Sequence, residues 1–140
     1  MSCTFCAILA GEKPAHVVHD DDAAFAFLDT KPLFFGHDLV VPRRHVVTLP
    51  ELPAAEVGPF FERVRLVAAA LPHAMEAEGT FVAMNNAVSQ SVPHLHVHVV
   101  PRTKGDGLKG FFWPRRRYDD DGHLSSVAER IKAALEEHAP

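Results

Sequence analysis

Hydrophobic and polar positions along the chain change period several times, and each change marks a predicted element. From His16 to His19 and from Ala23 to Asp29, short apolar-rich runs flank Asp20-Asp21-Asp22. This is the pattern of two strands around a solvated turn. In the second run Phe25 and Phe27 share one face by the strand period of two. Pro32 interrupts the chain, Gly36 permits a turn, and Asp38 to Pro42 reads as a third strand. From Pro53 to Glu78 the period becomes helical. Phe60, Val64, Val67, Ala68 and Leu71 recur at three and four and predict one buried stripe. Pro53 or Pro59 can open this helix, Pro72 should kink or end it near Leu71, and Gly79 should stop any continuation. Thr80 to Asn85 returns to a strand pattern, followed by a turn over Asn86 to Ser89. Near the end, Ser126 with Glu129 fits a capping box for a helix running to about Glu137, with Val127, Ile131 and Leu135 on one face.

The strongest alternation is Pro93-His94-Leu95-His96-Val97-His98-Val99-Val100-Pro101. On a strand its three histidines point one way, with neighbours roughly 7 Å apart. On a helix, alternate positions sit about 200° apart and form no common surface. Pro93 and Pro101 fit the two ends, where a missing N–H is tolerated. Crowded imidazoles are costly to charge together, so such a row points to metal, proton or anion chemistry.

Composition narrows the class. With 140 residues, 47% hydrophobic and 23% charged, the chain has the size and make-up of one globular domain spanning residues 1–140. A formal charge of −4 disfavours bulk binding to nucleic acid. No apolar run approaches a membrane span, and the N-terminus lacks the basic start and long apolar core of a signal peptide, so the expectation is a cytoplasmic protein. Cys3 and Cys6 are the only cysteines, too few for a disulfide framework. They can be core thiols, a redox pair or half of a zinc site. Zinc is favoured because two thiolates at this spacing grip one ion, and histidines must then complete the four ligands. Phe111 to Tyr118 interleaves aromatic residues with Arg115-Arg116-Arg117. It can serve as a lid, a packing or dimer contact, or a single-strand nucleic-acid surface, the last opposed by Asp119-Asp120-Asp121.

The row His94-x-His96-x-His98 followed by two apolar residues resembles the signature of the histidine triad (HIT) family. The similarity extends through Gln90-Ser91-Val92, with Ser89 where the family usually has glycine. It also takes in Phe35-Gly36-His37, Ala26-Phe27-Leu28-Asp29 and Leu39-Val40-Val41-Pro42-Arg43-Arg44-His45, spanning about residues 3 to 102. The resemblance implies a nucleotide hydrolase or transferase acting at the α-phosphate of a purine nucleotide. It makes His96 the nucleophile on phosphorus, His98 a group that holds phosphate oxygens and shares the proton traffic, and Ser91 a donor to a phosphate oxygen or to the leaving group. It puts His37 beside the triad as a proton carrier. It also implies a base pocket walled by Phe5, Ile8 and Phe27, with Asp29 on the ribose. Gln90 and one of Asn85 or Asn86 then belong to the nucleotide site. In some relatives the cysteine pair binds structural zinc, which here implies Cys3, Cys6, His45 and His94 as ligands, with no metal in the chemical step. Relatives often pair as homodimers.

From the residues alone, a neutral imidazole near pH 7 is a competent nucleophile. A metallohydrolase with all three triad histidines on one zinc fits poorly, since the outer two lie roughly 13–14 Å apart by strand rise. A nucleotide-binding or partner-docking module with little turnover is the other alternative. The expected architecture is α+β: an antiparallel sheet of about five strands, a long helix packed on it and a C-terminal helix.

Overall fold

In a computed structural model, which describes residues 2–108 and 115–139, the chain forms two units, residues 1–106 and residues 107–140. The first begins with a short helix, α1 (Thr4–Leu9), and continues through β1 (Val17–Asp20), β2 (Phe25–Leu28) and β3 (Asp38–Val41). The long helix α2 (Ala54–Met75) follows, then β4 (Gly79–Ala83) and β5 (Val97–Arg102). The five strands make one sheet in the order β1-β2-β3-β5-β4, and every neighbouring pair is antiparallel. This is an α+β architecture.

Alternation along the strands builds two cores. Ala24, Ala26, Val40, Val97 and Val99 face α2 and meet its stripe of Phe60, Val64, Val67 and Leu71. Phe25, Phe27, Leu39 and Val41 face the other way and are covered by Phe5 of α1. The Asp21 side chain makes the β1–β2 turn by accepting the Ala23 and Ala24 N–H groups through Oδ1 at 2.8 and 3.0 Å.

Several expectations need correction. Helix α2 does not end near Leu71. Pro59 and Pro72 both lie inside it. Pro72 falls in the last turn, where its missing N–H removes a single bond, and the helix closes at Glu76 in the left-handed region (φ 53°). The Ala77 N–H then reaches the Pro72 carbonyl at 3.0 Å. Gly79 therefore stops nothing; it is the first residue of β4. Pro101 lies within β5 rather than at its end. The β3 ladder finishes at Val99, so Pro101 has a strand neighbour on one side only. At the other end the ladder begins at Val97, so His94 and His96 precede it. That stretch is anchored instead by the Leu95 N–H on the Val46 carbonyl at 2.8 Å.

The second unit contains α3 (Asp121–Glu137). It starts five residues before the expected cap at Ser126. Asp120 is the N-cap, its carboxylate accepting the His123 N–H at 2.8 Å. The aspartate triplet is thus a helix start. The aromatic half of the Phe111–Tyr118 segment, up to Pro114, lies outside the described residues. Among the described residues no helix is long and apolar enough to cross a membrane.

Candidate active site

The turn before β3 and the approach to β5 bring five histidines into two groups. Gly36, at φ +95°, lets the chain reverse so that His37 enters the sheet. His37 Nδ1 accepts the Leu33 N–H at 3.1 Å, and His37 Nε2 lies 2.9 Å from His98 Nδ1. Because Nδ1 of His37 is an acceptor, its proton sits on Nε2 and is donated to His98 Nδ1. His98 in turn must carry its proton on Nε2. The backbone amide of Leu33 thereby fixes the tautomers of two rings in series. The same chain of bonds opposes a metal at Asp29, His37 and His98, whose donor atoms lie close together. His37 Nε2 would have to lose its proton while Nδ1 still accepted one. Burial lowers the pKa of His37, opposed by Asp29 3.7 Å away. Burial, with His96 and His37 close by, lowers His98 to about 4. Both rings are neutral at pH 7.

His96 is 4% exposed, and its Nδ1 lies 2.7 Å from the His94 carbonyl. A carbonyl only accepts, so Nδ1 carries a proton and, in the neutral ring, Nε2 keeps a free lone pair. The His96 and His98 rings stand 5.0 Å apart, and Phe5 meets His96 edge-on at 5.1 Å. A cleft of about 220 Å³ runs beside them. Phe5, Ile8, Phe27, Asp29, Ser91, His96 and His98 all line it, and so does Leu39, which the strand period places beside Phe27 across the β2–β3 ladder. Phe5 and Phe27 pack edge-to-face at 5.3 Å. An apolar slot lined also by one carboxylate and two imidazoles suits a flat ring joined to a phosphate.

Asn85 and Gln90 are absent from the lining. The Asn85 amide donates to the Ser89 carbonyl at 3.2 Å. Gln90 donates to the Val47 carbonyl at 2.6 Å and accepts the Ala87 N–H at 3.0 Å. Asn86 accepts the Leu49 N–H at 2.8 Å. These side chains hold the loop that presents Ser91. Its backbone is strained, with Ala87 at φ 70° and Ser89 at φ 62°.

The remaining histidines meet the cysteines. Cys6 Sγ is 3.2 Å from His45 Nδ1, while Cys3 and Cys6 Sγ each lie 3.6 Å from His94 Nδ1. The two Nδ1 atoms are 3.2 Å apart. A tetrahedral zinc with bonds of about 2.3 Å to sulfur and 2.05 Å to nitrogen spaces its ligands at about 3.6 Å for S···N and about 3.3 Å for N···N. The spacings to His94 match that ion, and Cys6 to His45 is about 0.4 Å short of it. His94 is in the right tautomer as well: its Nε2–H donates to the Pro42 carbonyl at 3.0 Å, which leaves Nδ1 free. Burial lowers the His94 pKa and keeps the ring neutral, as a ligand must be. The Cys6 thiol is pushed up by burial and by Cys3 beside it, the strain that a shared cation relieves.

The HIT domain profile matches residues 10–105. The chain belongs to the HIT family. Among similar members, "Adenylylsulfatase HINT3" of Arabidopsis thaliana is 36% identical over 108 residues, 76% of this chain and 55% of that protein. The chain thus spans about half the length of that relative. "Adenosine 5'-monophosphoramidase HNT1" of Candida albicans is 29% identical, covering 96% of this chain and 91% of its own. A crystal structure of a Zn-bound histidine triad family protein from Mycobacterium smegmatis superposes with a TM-score of 0.73 at 34% identity, over 95% of this chain and 98% of that one. Two of these HIT relatives are named for enzyme activities, an adenylylsulfatase and an adenosine 5'-monophosphoramidase. The backbone partners Leu33 N–H, Val46 C=O and Pro42 C=O carry no sequence signal, since any residue supplies them.

Proposed function

We propose that this protein hydrolyses purine nucleotide esters or phosphoramidates at the α-phosphate through a nucleotidyl-histidine intermediate. One observation carries the reading: the His94 carbonyl holds His96 Nδ1–H at 2.7 Å and leaves Nε2 as a buried, unprotonated nucleophile beside the cleft. The base enters between Phe5, Ile8 and Phe27, and Asp29 accepts the ribose hydroxyls. His96 Nε2 forms a bond to the α-phosphorus as the bond to the leaving group breaks. His98 Nε2–H and Ser91 Oγ–H donate to the phosphate oxygens, where charge builds up. Water then attacks phosphorus, releasing the nucleoside monophosphate and restoring His96. His37 keeps His98 in the donating tautomer. Cys3, Cys6, His45 and His94 would hold a structural zinc, which would tie the start of α1 to the approach to β5 and supply nothing to the bond changes. The working form is a cytoplasmic homodimer, testable as twice the chain mass by light scattering.

Turnover of a fluorogenic adenosine phosphoramidate is measured for wild type and His96→Ala, with intact-protein mass spectrometry after mixing with substrate. We expect a nucleotidyl adduct on wild type and a loss of at least about a thousandfold in kcat for the variant. Wild-type turnover by His96→Ala overturns the assignment.

A further inference from the structure

On the sheet face away from the nucleotide cleft, a second cavity of about 400 Å³ lies between α2 and the strands β1 and β3. Its lining is alkyl from the helix side, with Leu66, Val67, Ala70, Leu71 and Ala74, while Val18 and His19 contribute from β1. Val18 and Leu66 are about half exposed (51% and 48%), so the cavity opens to solvent. The sheet contributes one further lining residue, Asp38, which is only 3% exposed. Asp38 is the first residue of β3 and shares the helix-facing side of the sheet with Val40 by the strand period. Among the described residues nothing hydrogen-bonds its buried Oδ1. Burial raises its pKa to about 6. A carboxyl in such a place is an anomaly in a natural core, where buried polar atoms are almost always partnered.

The charges closest to the cavity do not answer it. His19 donates from Nε2 to Asp21 Oδ2 at 2.8 Å, and Arg63 donates to the same oxygen at 2.8 Å. In the neutral ring, with the proton on Nε2, the other nitrogen of His19 is an acceptor. The polar groups that line the cavity are therefore acceptors, and the helix above them offers no N–H outside its own ladder. What is missing is a donor with positive charge on an apolar body.

We propose that this cavity is a binding site for a small organic monocation, a primary ammonium carried on an alkyl or aryl group. The ammonium donates to the Asp38 carboxylate at the floor and the apolar body packs on Leu66, Val67 and Ala70. One acid at the floor selects one charge, so polyamines gain nothing over monoamines. The site is separate from the nucleotide cleft, because β3 presents Leu39 to that cleft and Asp38 to the opposite face.

The probe is benzylamine, titrated into the full-length protein at pH 8 and followed by amide chemical shifts. Benzyl alcohol is the neutral comparison of similar shape. Asp38→Asn keeps the side-chain shape and removes the charge; its thermal melt shows that it folds. We expect saturable shifts at Val18, His19, Leu66 and Ala70. Binding should weaken at least about tenfold for benzyl alcohol, and equally for benzylamine on Asp38→Asn. Equal affinity for amine and alcohol, or an Asp38→Asn protein that binds the amine as wild type does, overturns the proposal. So does an amine affinity that falls as the protein self-associates, which gives the cavity to a second copy.

Discussion

A histidine ring has two nitrogens, and in this protein the backbone decides which one keeps its proton. The Leu33 amide, the His94 carbonyl and the Pro42 carbonyl set the tautomers of His37, His96 and His94 in turn. Replacing His37 with Ala leaves His98 free to move its proton to Nδ1. We expect kcat to fall about tenfold to hundredfold with little change in KM, because the base and ribose contacts remain. A loss in KM alone would assign His37 to binding. The histidines and cysteines were legible as residue types at suggestive spacings. Their tautomers were not, because they depend on carbonyls and amides that every residue carries. Asp38 was legible only as a strand start, since whether a carboxyl is buried depends on the helix laid over it. Ser89 at φ 62° sits where glycine is the family's usual residue. We expect Ser89→Gly to raise stability by up to about 1 kcal/mol, read as a higher Tm, as relief of left-handed strain exceeds the added freedom of the unfolded chain.

At the scale of elements, α1 is the part least able to stand alone. Six residues are too few for a stable helix in water. Its cap is the Cys3 thiol, which accepts the Cys6 N–H at 3.5 Å, and the same two cysteines flank Phe5 on either side. Stripping metal with a chelator, or making Cys3→Ser with Cys6→Ser, should therefore loosen the wall of the nucleotide cleft. The expected outcome is a lower Tm together with a nucleotide Kd or KM that rises more than kcat falls. A cleft that binds nucleotide unchanged after verified metal loss would separate the two sites. Helix α2 shows where periodicity succeeds and where proline rules mislead. Its buried stripe follows directly from the spacing of Phe60, Val64, Val67 and Leu71. Its end does not, because the cost of Pro72 depends on how many turns follow it. Glu76 closes the helix at φ 53°, and Glu76→Gly is expected to add about 0.5–1 kcal/mol of stability in thermal unfolding.

For the whole molecule, buried titrating groups pull stability in opposite directions with pH. His98 titrates at about 4 in the fold and near 6.5 when free, so the unfolded chain takes up a proton first. Its contribution is full above about pH 6.5 and is lost as pH falls toward 4. His37 and His94, also lowered by burial, act in the same direction. Asp38 acts the other way: with its pKa raised from 3.8 to about 6, the cost of its charge is present above pH 6 and relieved below it. Between about pH 4 and 6 the Asp38 cost therefore offsets the histidine gain, and thermal melts of wild type should level off above about pH 6.5. Asp38→Asn should remove that offset, steepen the rise between about pH 4 and 6 and gain up to about 2 kcal/mol at pH 8, part of the benefit being offset by the new amide's unpaired N–H groups. A variant that melts below wild type at pH 8 would show that the carboxylate has a partner in the fold.

The sequence by itself determined what is local. Side-chain period set the strands, the helix stripe and the faces of Phe25 and Phe27, and the family motif singled out the histidines proposed for the chemistry. Tertiary structure decided what depends on distant segments. Cys3 meets His94 across 91 positions, and His37 meets His98 across 61. The first triad histidine turned toward the cysteines, Asn85 and Gln90 were committed to holding a loop, and Asp38 was closed in by an alkyl helix face. Periodicity is written in neighbouring residues. Burial, tautomer and partner arise only when separate elements exclude water from the same place.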